Sequence, residues 1–259
     1  ELQFVGNGTL TRGSGLFPEK RKSKAVSSVY VANQYGEMLS DRSGVTVSIT
    51  GTNLNTTTLL SGDWYMKGLE NGEYSITVSK SGLEVIPGYN PKFNFRNDTI
   101  RGEPFYLFEP NLPTLIHPTT VGVNLNLSRT VVPDTGTNNS EYERIKIAGN
   151  FIGIASGKNL PVMIFIGNQD VSLDSFSEMY KPFQDSSIQS ELISGRIYSD
   201  GRTQGFINQI KNKFPSGSQV FIRAYAANPR GGIFTDPKTG EKRAVGFGPP
   251  SNVVSFTMP

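Results

Sequence analysis

Residues 62–78 contain the feature that most constrains the fold, because apolar and polar side chains alternate there on both sides of a Leu-Glu-Asn-Gly turn signal. Trp64 and Met66 alternate with their neighbours before the turn, and Ile76 and Val78 do so after it. A period of two places successive side chains on opposite faces of a β-strand. The stretch therefore predicts an antiparallel hairpin with one buried face. It indicates a fold and points to no reaction.

The same alternation recurs along the chain and predicts an all-β protein. A length of 259 residues favours two domains, and about seven short strands in the first of them are typical of a β-sandwich. We predict two β-sandwich domains in tandem, at 25–108 and 120–259. The predicted strands outside residues 62–78 lie at 25–31, 45–50, 56–60, 85–86, 93–95, 105–108, 121–128, 145–154, 162–166, 218–227 and 253–258.

Two segments lie outside these domains. Residues 1–24 are basic, with five Lys or Arg against two Glu, and a solvated leader is favoured there over a contact with an anionic surface. Residues 109–119 contain three prolines. Because proline lacks the N–H that a strand donates, we predict a stiff linker there and no strand.

Residues 204–213 fit two structures. Phe206, Ile210 and Phe214 are spaced four apart, which favours a helix with one apolar stripe. Phe206, Asn208 and Ile210 could instead alternate in a strand. The sequence leaves this choice open.

The first predicted domain resembles a known family. Gly44-Val-Thr-Val47, Gly62-x-Trp-x-Met66 and Leu69-x-x-Gly72-x-Tyr74-x-Ile-x-Val78 are similar to the motifs of the carboxypeptidase-regulatory, transthyretin-like domains. The chain has Ser61-Gly62 where that family has Asp-Gly, and Met66 in place of the second aromatic residue. The resemblance implies a small sandwich that serves as an accessory module and has no peptidase activity.

The second predicted domain resembles another family at its end. The sequence Ser-Gln-Val-Phe-Ile-Arg-Ala-Tyr-Ala-Ala-Asn at 218–228 and Ser255-Phe256 are similar to fibronectin-III-like domains of cell-envelope lipoproteins from Bacteroidetes-type bacteria. The stretch 229–246 differs from that family, because we expect it to form a long basic loop where the family has a short one. The resemblance implies an envelope location.

The residues that carry chemistry are sparse. The chain has no Cys and one His, which excludes disulfides, thiolate catalysis and the usual zinc sites. We therefore predict no metal and no cofactor. His117 lies in the predicted linker, where a surface or packing role is favoured over a catalytic triad. A net charge of +3 gives no reason to expect a nucleic-acid partner.

Three carboxylates recur at intervals of four residues: Asp170, Asp174 and Glu178. They could form a calcium site or the acid pair of a glycosidase. A solvated face of one short turn is favoured instead, with Ser175 and Glu178 as its capping box.

Exposed aromatic side chains are the remaining candidates for a binding site. The alternation assigns Trp64 to the core, so sugar stacking on it is not favoured. Tyr65, Phe221 and Tyr225 face away from the inferred cores, and Arg223 lies beside the last two. We predict a ligand-binding role for these four residues, although edge-strand aromatics can also form cross-strand pairs.

These observations predict a non-enzymatic binding protein of a bacterial cell envelope, on the outer-membrane surface or in the periplasm, with a glycan or an envelope protein as partner. No apolar run reaches the roughly 18 residues of a membrane helix. The chain begins at Glu1 rather than Met, so processing could have removed a signal peptide. A lipid-bearing Cys could have been removed with it, and we expect the natural protein to carry a lipid anchor. The alternative is a fimbrial or adhesin subunit that exchanges strands, with residues 1–24 as the donor. A glycosidase is the third hypothesis.

Overall fold

In the computed structural model the described chain is built almost entirely from β-strands, with one short helix. The all-β prediction is confirmed. The residues that the structure describes are 23–69, 72–86, 92–95, 105–106, 114–133, 141–180, 191–235 and 239–259.

Among the described residues of the N-terminal half, ten short strands form three small sheets. The sheet orders are β5-β1-β9, β4-β3-β6-β8 and β2-β10-β7. The strands are β1 (Ser23–Ser28), β2 (Tyr30–Ala32), β3 (Thr46–Ile49), β4 (Asn55–Thr57), β5 (Asp63–Leu69), β6 (Gly72–Ser79), β7 (Glu84–Val85), β8 (Lys92–Phe95), β9 (Phe105–Tyr106) and β10 (Thr114–Ile116).

The stretch 62–78 forms two strands, β5 and β6, but they belong to different sheets. β5 pairs with β1, whereas β6 pairs with β3 and β8. Trp64 and Met66 of β5 meet Ile76 and Val78 of β6 in one buried apolar cluster. The predicted hairpin is therefore wrong, since the two strands face each other across a core. Alternation identifies the buried face of a strand, and it does not identify the neighbouring strand.

Gly62 marks the point where the chain enters β5. Its φ is +82°, and a Cβ atom there would lie 2.6 Å from the carbonyl oxygen of Val29. The Val29 N–H donates a hydrogen bond to the Gly62 carbonyl at 2.9 Å. Only glycine allows this positive φ together with the close backbone approach, so the Ser61-Gly62 turn fixes where β5 begins.

The prediction that residues 109–119 form a linker without a strand is wrong for Thr114–Ile116. This segment is β10, which pairs in parallel with β2 and antiparallel with β7. Leu115 and Ile116 are fully buried. Pro113 and Pro118 flank the three residues, so no N–H needed for pairing is lost. Residues 109–113 lie outside the described residues.

The described part of the C-terminal half forms two larger sheets that enclose one apolar core. Their orders are β11-β12-β15-β16 and β14-β13-β17-β18, and β19 also pairs with β17. We call them the four-stranded and the five-stranded sheet. The elements are β11 (Gly122–Pro133), β12 (Glu141–Ile152), β13 (Val162–Gly167), β14 (Glu178–Tyr180), β15 (Glu191–Tyr198), β16 (Thr203–Gly205), α1 (Phe206–Ile210), β17 (Gln219–Thr235), β18 (Lys242–Pro250) and β19 (Val254–Thr257).

The stretch 204–213, for which the sequence left helix and strand open, contains both. Its first residues end strand β16, and Phe206–Ile210 forms helix α1. Phe206, Ile210 and Phe214 are all buried in the core between the two sheets, as the helical stripe predicts. Within the described chain, no helix has the length and apolar character needed to cross a membrane.

The stretch 229–246 is largely strand, so the expectation of a long loop is wrong. β17 and β18 continue as a hairpin, with Gly232 opposite Val245 and Thr235 opposite Lys242. The register shifts before Gly232, where a Cβ on Gly231 would lie 2.4 Å from the Val245 carbonyl oxygen. The hairpin is long because paired strands, not an irregular connection, accommodate the extra residues.

The base of this hairpin contacts the N-terminal half. The Asn228 side-chain amide is buried and donates to the carbonyl oxygens of Asn33, at 2.8 Å, and His117, at 3.0 Å. Arg230 donates to the Tyr30 hydroxyl at 2.7 Å, and its guanidinium lies 4.3 Å from that ring. His117 therefore occupies a structural position beside this contact.

Candidate functional site

The four residues predicted as a ligand site lie on two different sheets. Tyr65 is on β5 in the N-terminal half and is about half exposed. Phe221, Arg223 and Tyr225 follow one another on β17 of the five-stranded sheet. The structure therefore does not bring Tyr65 together with the other three, and the ligand role of these residues stays a prediction.

The expected exposure of Tyr225 is wrong, because its side chain is 4% exposed. It packs in an apolar cluster on the outer face of the five-stranded sheet, with ring centroids 5.3 Å from Phe165 and 6.0 Å from Phe247. The segment after β13 covers this face with Val171 and Phe176. Phe221 is partly buried against the same cluster.

A sequence signal for this second apolar layer exists in β13. Val162–Gly167 reads Val-Met-Ile-Phe-Ile-Gly, and every residue of it is buried. An uninterrupted apolar run is typical of a strand that is covered on both faces. The alternation in β17 predicts a sheet with one face in solvent. The apolar run in its neighbour β13 predicts a sheet that is covered on both faces.

Arg223 and two of the three carboxylates, Asp170 and Glu178, have structural partners. Arg223 pairs with Asp170 at 3.3 Å, and Glu178 lies on β14, where it pairs with Lys213. The proposed capping box is wrong, because Glu178 begins a strand. Among the described residues, no group of three metal-ligating side chains converges.

An open groove lies on the outer face of the four-stranded sheet, and we call it the asparagine groove. Its volume is about 610 Å³, which is within the usual range for small-ligand sites. β11 and β12 provide four of the lining residues, and the loop after β12 provides three. The groove is lined by Asn126, Ala148, Asn150, Phe151, Ile154, Lys158 and Asn159.

The alternation of β11 and β12 determines which side chains reach the groove. Leu125 of β11 and Ile147 of β12 are buried in the core between the sheets. Their neighbours Asn126 and Ala148 therefore face outward, and the strand register places these two opposite each other. Asn150 follows two residues later on the same face of β12 and is exposed.

The loop after β12 forms one wall of the groove, and the N-terminal half supports it. Ile154 packs back against the core. The Ala155 N–H donates to the Tyr35 hydroxyl at 3.2 Å, and the Lys158 ammonium contacts a Glu37 carboxylate oxygen at 2.5 Å. A turn of the first half thus holds this wall in place.

The charge on Lys158 is balanced by Glu37. Hydrogen bonds from Lys158, and secondarily from Asn33, hold the pKa of the Glu37 carboxyl below its usual value. Asn33 also uses its side-chain oxygen to accept from the Tyr35 and Glu37 N–H groups, at 2.9 and 3.1 Å, which fixes the turn.

The groove offers both polar and apolar contacts. The amides of Asn126 and Asn150 make no hydrogen bond within the part of the chain that the structure describes, and each offers two N–H donors and one carbonyl acceptor. Phe151 and Ile154 line the groove beside them, and both side chains also pack partly against the core between the sheets. Such a surface is suited to a ligand that has both hydroxyl groups and C–H faces.

The sequence alone did not predict this groove. The alternation along residues 121–128 is explained by a half-exposed strand whose polar side faces solvent. The available signal was the type of polar residue. Asn124 and Asn126 occupy the polar side of this strand, where charged residues are more usual on a surface that only faces solvent. That signal is weak without knowledge that Asn150 lies on the adjacent strand.

Comparisons with known proteins give only distant structural similarity. No family model and no curated protein matches the chain. A DUF3823 family protein from Bacteroides ovatus is 14% identical with a TM-score of 0.25, covering 92% of this chain and 100% of its own. A candidate carbohydrate binding protein from Bacteroides uniformis is 11% identical with a TM-score of 0.22, covering 91% and 98%. The major pilin SpaD from Corynebacterium diphtheriae is 13% identical with a TM-score of 0.29, covering 92% and 66%.

Proposed function

We propose that this chain is a non-enzymatic surface protein that binds glycans in the asparagine groove. The observation that carries this proposal is the pair of exposed amides of Asn126 and Asn150, which have no hydrogen-bond partner among the described residues and lie beside Phe151 and Ile154. Sugars present hydroxyl groups around a ring that also has C–H surfaces, so both halves of the groove have a partner on the same ligand.

The composition of the groove supports binding without hydrolysis. Glycosidases place two carboxyl groups on either side of the scissile bond. Among the residues that line the groove, none is Asp or Glu, and the nearby Glu37 is paired with Lys158.

The broader assignment rests on the sequence motifs. We propose that 25–108 is a transthyretin-like module and 120–259 a fibronectin-III-like module, on the outer-membrane surface or in the periplasm, with a lipid anchor. The fibre-subunit alternative stays a prediction, because residues 1–22, most of its donor segment, lie outside the described residues.

The proposal is tested by screening the intact chain on a glycan array and measuring the hits by isothermal titration calorimetry. The variant Asn126→Ala with Asn150→Ala removes two amides, each worth about 1 kcal/mol when hydrogen-bonded, so we expect an affinity loss of about tenfold or more. The control Asn124→Ala removes an exposed amide on the same sheet face that does not line the groove, and we expect no change.

Two results would contradict the proposal. One is the absence of any bound glycan at millimolar concentration. The other is a glycan whose affinity falls equally in the double variant and in the Asn124→Ala control.

A further inference from the structure

Strand β11 is the edge strand of the four-stranded sheet, and it has a described neighbour on one side only. Its full length pairs with β12, from Gly122 opposite Ile152 to Pro133 opposite Glu141. On the side that faces away from β12, no described strand pairs with residues 126–133. We call this side of 126–133 the open edge. A row of unpaired backbone N–H and C=O groups is a template for a further strand.

The contacts of Asn252 show which backbone groups of β11 point toward the open edge. The side-chain oxygen of Asn252 accepts from the Leu125 N–H at 2.7 Å, and its amide nitrogen donates to the Leu125 carbonyl at 3.0 Å. These groups of Leu125 therefore point away from β12. The register of β11 with β12 runs without a shift, and this direction alternates along a strand. The N–H and C=O groups of Leu127, Arg129 and Val131 consequently point toward the open edge.

The open edge lacks the features that protect most exposed edge strands. Natural sheets place lysine, proline or a bulge on such edges, and residues 127–132 contain none of these. Residues 130–132 are Thr-Val-Val, which are β-branched and favour extended structure. The charge of Arg129 is balanced by Glu143 of β12, at 2.6 and 2.8 Å. Neither charge nor backbone shape therefore opposes the addition of a strand.

We infer that the open edge binds a second copy of this chain, whose own β11 pairs with it antiparallel about a twofold axis centred on Thr130. In this register Thr130 lies opposite Thr130 of the second copy, a cross-strand pair that stabilises sheets. Arg129 lies opposite Val131 of the second copy, and the two exchange N–H···O bonds because both present their backbone groups to the open edge. A twofold interface closes on itself, so it gives a dimer and no fibre. The inference does not depend on glycan binding.

Registers shifted toward the start of β11 are less favourable. Centring the axis on Arg129 places two arginines directly opposite each other, and like charges in that position destabilise a sheet. Centring it on Ser128 sets Val131 opposite Leu125, whose N–H and C=O groups are already bonded to Asn252. The described contacts thus exclude pairing of the whole edge in either register.

Pro133 disfavours a shift in the other direction. Centred on Val131, the pairing reaches only from Arg129 to Pro133, and proline donates no hydrogen bond. Centred on Thr130, Arg129 and Val131 each face a residue with an N–H, and Pro133 meets Leu127 only at the end of the paired stretch. The Thr130 register therefore satisfies the most backbone groups.

Disulfide cross-linking tests the interface and its register, because the chain has no Cys of its own. In the Thr130 register the two Thr130 Cα atoms lie about 4.5 Å apart, and disulfides join Cα atoms about 4.4–6.8 Å apart. We expect Thr130→Cys to form a disulfide-linked dimer under mild oxidation, detected by non-reducing gel electrophoresis. The control Ser128→Cys is exposed on the same strand face. Its two copies would lie about 14 Å apart, so we expect no linked dimer.

Sedimentation equilibrium of the full chain measures the association itself, at up to millimolar concentration because small interfaces are weak. Val131→Glu places a carboxylate opposite Arg129 of the second copy and should tighten dimerisation about fivefold, whereas Val131→Lys should weaken it by about the same factor. Val131 is 68% exposed, so both variants should keep the wild-type melting temperature. The control Ile152→Lys, at a 59% exposed site at the other end of β12, should leave dimerisation unchanged.

Three results would overturn the inference. A wild-type chain that stays monomeric at millimolar concentration, with no linked dimer of Thr130→Cys, would mean that a different strand or none occupies the edge. Linked dimers of Ser128→Cys as abundant as those of Thr130→Cys would show that the contact is non-specific. Dimerisation that responds equally to Val131→Glu and Val131→Lys would exclude the pairing of this residue with Arg129. None of these results would affect the proposal of glycan binding.

Discussion

The two sheets of the C-terminal half share one core and differ on their outer faces. The five-stranded sheet presents Phe165, Tyr225 and Phe247 outward, and the segment after β13 covers them. The four-stranded sheet presents Asn126 and Lys146 outward, and no apolar cluster of described residues covers that face.

Because of this difference, one outer face contributes to stability and the other is available for binding. A face of aromatic side chains is stabilised when further chain covers it, and it is then closed to a ligand. A face of amides and cations gains little from being covered, because buried polar groups must find partners. The candidate site therefore lies on the sheet that contributes to the core from one side only.

The largest expected effect tests the covered face. Phe165 is fully buried and packs edge-on against Phe176, Tyr225 and Phe247, at 4.9 to 6.0 Å between ring centroids. Phe165→Ala should lower the free energy of unfolding by about 3–5 kcal/mol, measured by chemical denaturation. The control Ile152→Ala, at a site that is 59% exposed, should change it by less than about 0.5 kcal/mol. Similar losses in both variants would show that the covered aromatic cluster contributes no more to stability than an exposed position does.

A second variant tests the inner face of the open sheet. A Cβ on Gly195 of β15 would lie 2.4 Å from Cγ1 of Ile207 and 3.1 Å from the Gln204 carbonyl oxygen. Gly195→Ala should therefore destabilise the chain by about 1–3 kcal/mol, because the core must shift. Ser194→Ala, one residue away on the outer face, should be nearly neutral in thermal unfolding. A neutral Gly195→Ala would mean that this sheet is loosely packed on both sides.

A third variant tests an ion pair on the same sheet through its pH dependence. Glu143 makes two contacts with Arg129, at 2.6 and 2.8 Å, which hold its pKa below the ordinary 4.5. Glu143→Gln should cost about 0.5 kcal/mol at neutral pH, since the pair is partly exposed. A lowered folded pKa adds stability above the unfolded pKa. The wild-type advantage should therefore disappear as the pH falls from about 4.5 through the folded pKa.

The control for this prediction is Glu141→Gln, at an exposed residue nearby on β12. At neutral pH it should lower the free energy of unfolding by less than Glu143→Gln does, because Glu141 makes no ion pair with any described residue. An advantage of Glu143 that stays constant between pH 3 and pH 7, roughly the range over which carboxyl groups titrate, would show that the ion pair is not its cause.

The smallest expected effect concerns the groove itself. Asn126→Ala with Asn150→Ala should change the free energy of unfolding by less than about 0.5 kcal/mol, because both amides are exposed and unpaired among the described residues. Equilibrium denaturation checks this result. A large loss would indicate that these asparagines stabilise the fold and are not kept for binding.

The sequence predicted several buried side chains correctly and some of the structure around them incorrectly. Trp64 and Met66 lie in the core as their alternation requires, and Phe206 and Ile210 lie on the buried side of a helix. The hairpin at 62–78 was wrong, because two strands adjacent in sequence can join different sheets while keeping the same buried faces.

The candidate site was less predictable than the core. Tyr225 alternates as an exposed residue would, but its burial depends on a segment that begins some 55 residues earlier in the chain. Asn126 and Asn150 become neighbours through the register of β11 with β12. The burial of Tyr225 and the proximity of the two asparagines both depend on residues far apart in the chain, so a short stretch of sequence cannot predict them.

The sequence by itself determined that the chain is all-β and which side of each clearly alternating strand is apolar, because side-chain direction along a strand follows from backbone geometry alone. Only the tertiary structure decided which sheet each strand joins, that Thr114–Ile116 is a strand, and which outer face the described residues leave open. Those outcomes depend on contacts between segments far apart in the chain, where burial of apolar surface and pairing of backbone hydrogen bonds select among arrangements that share the same alternation.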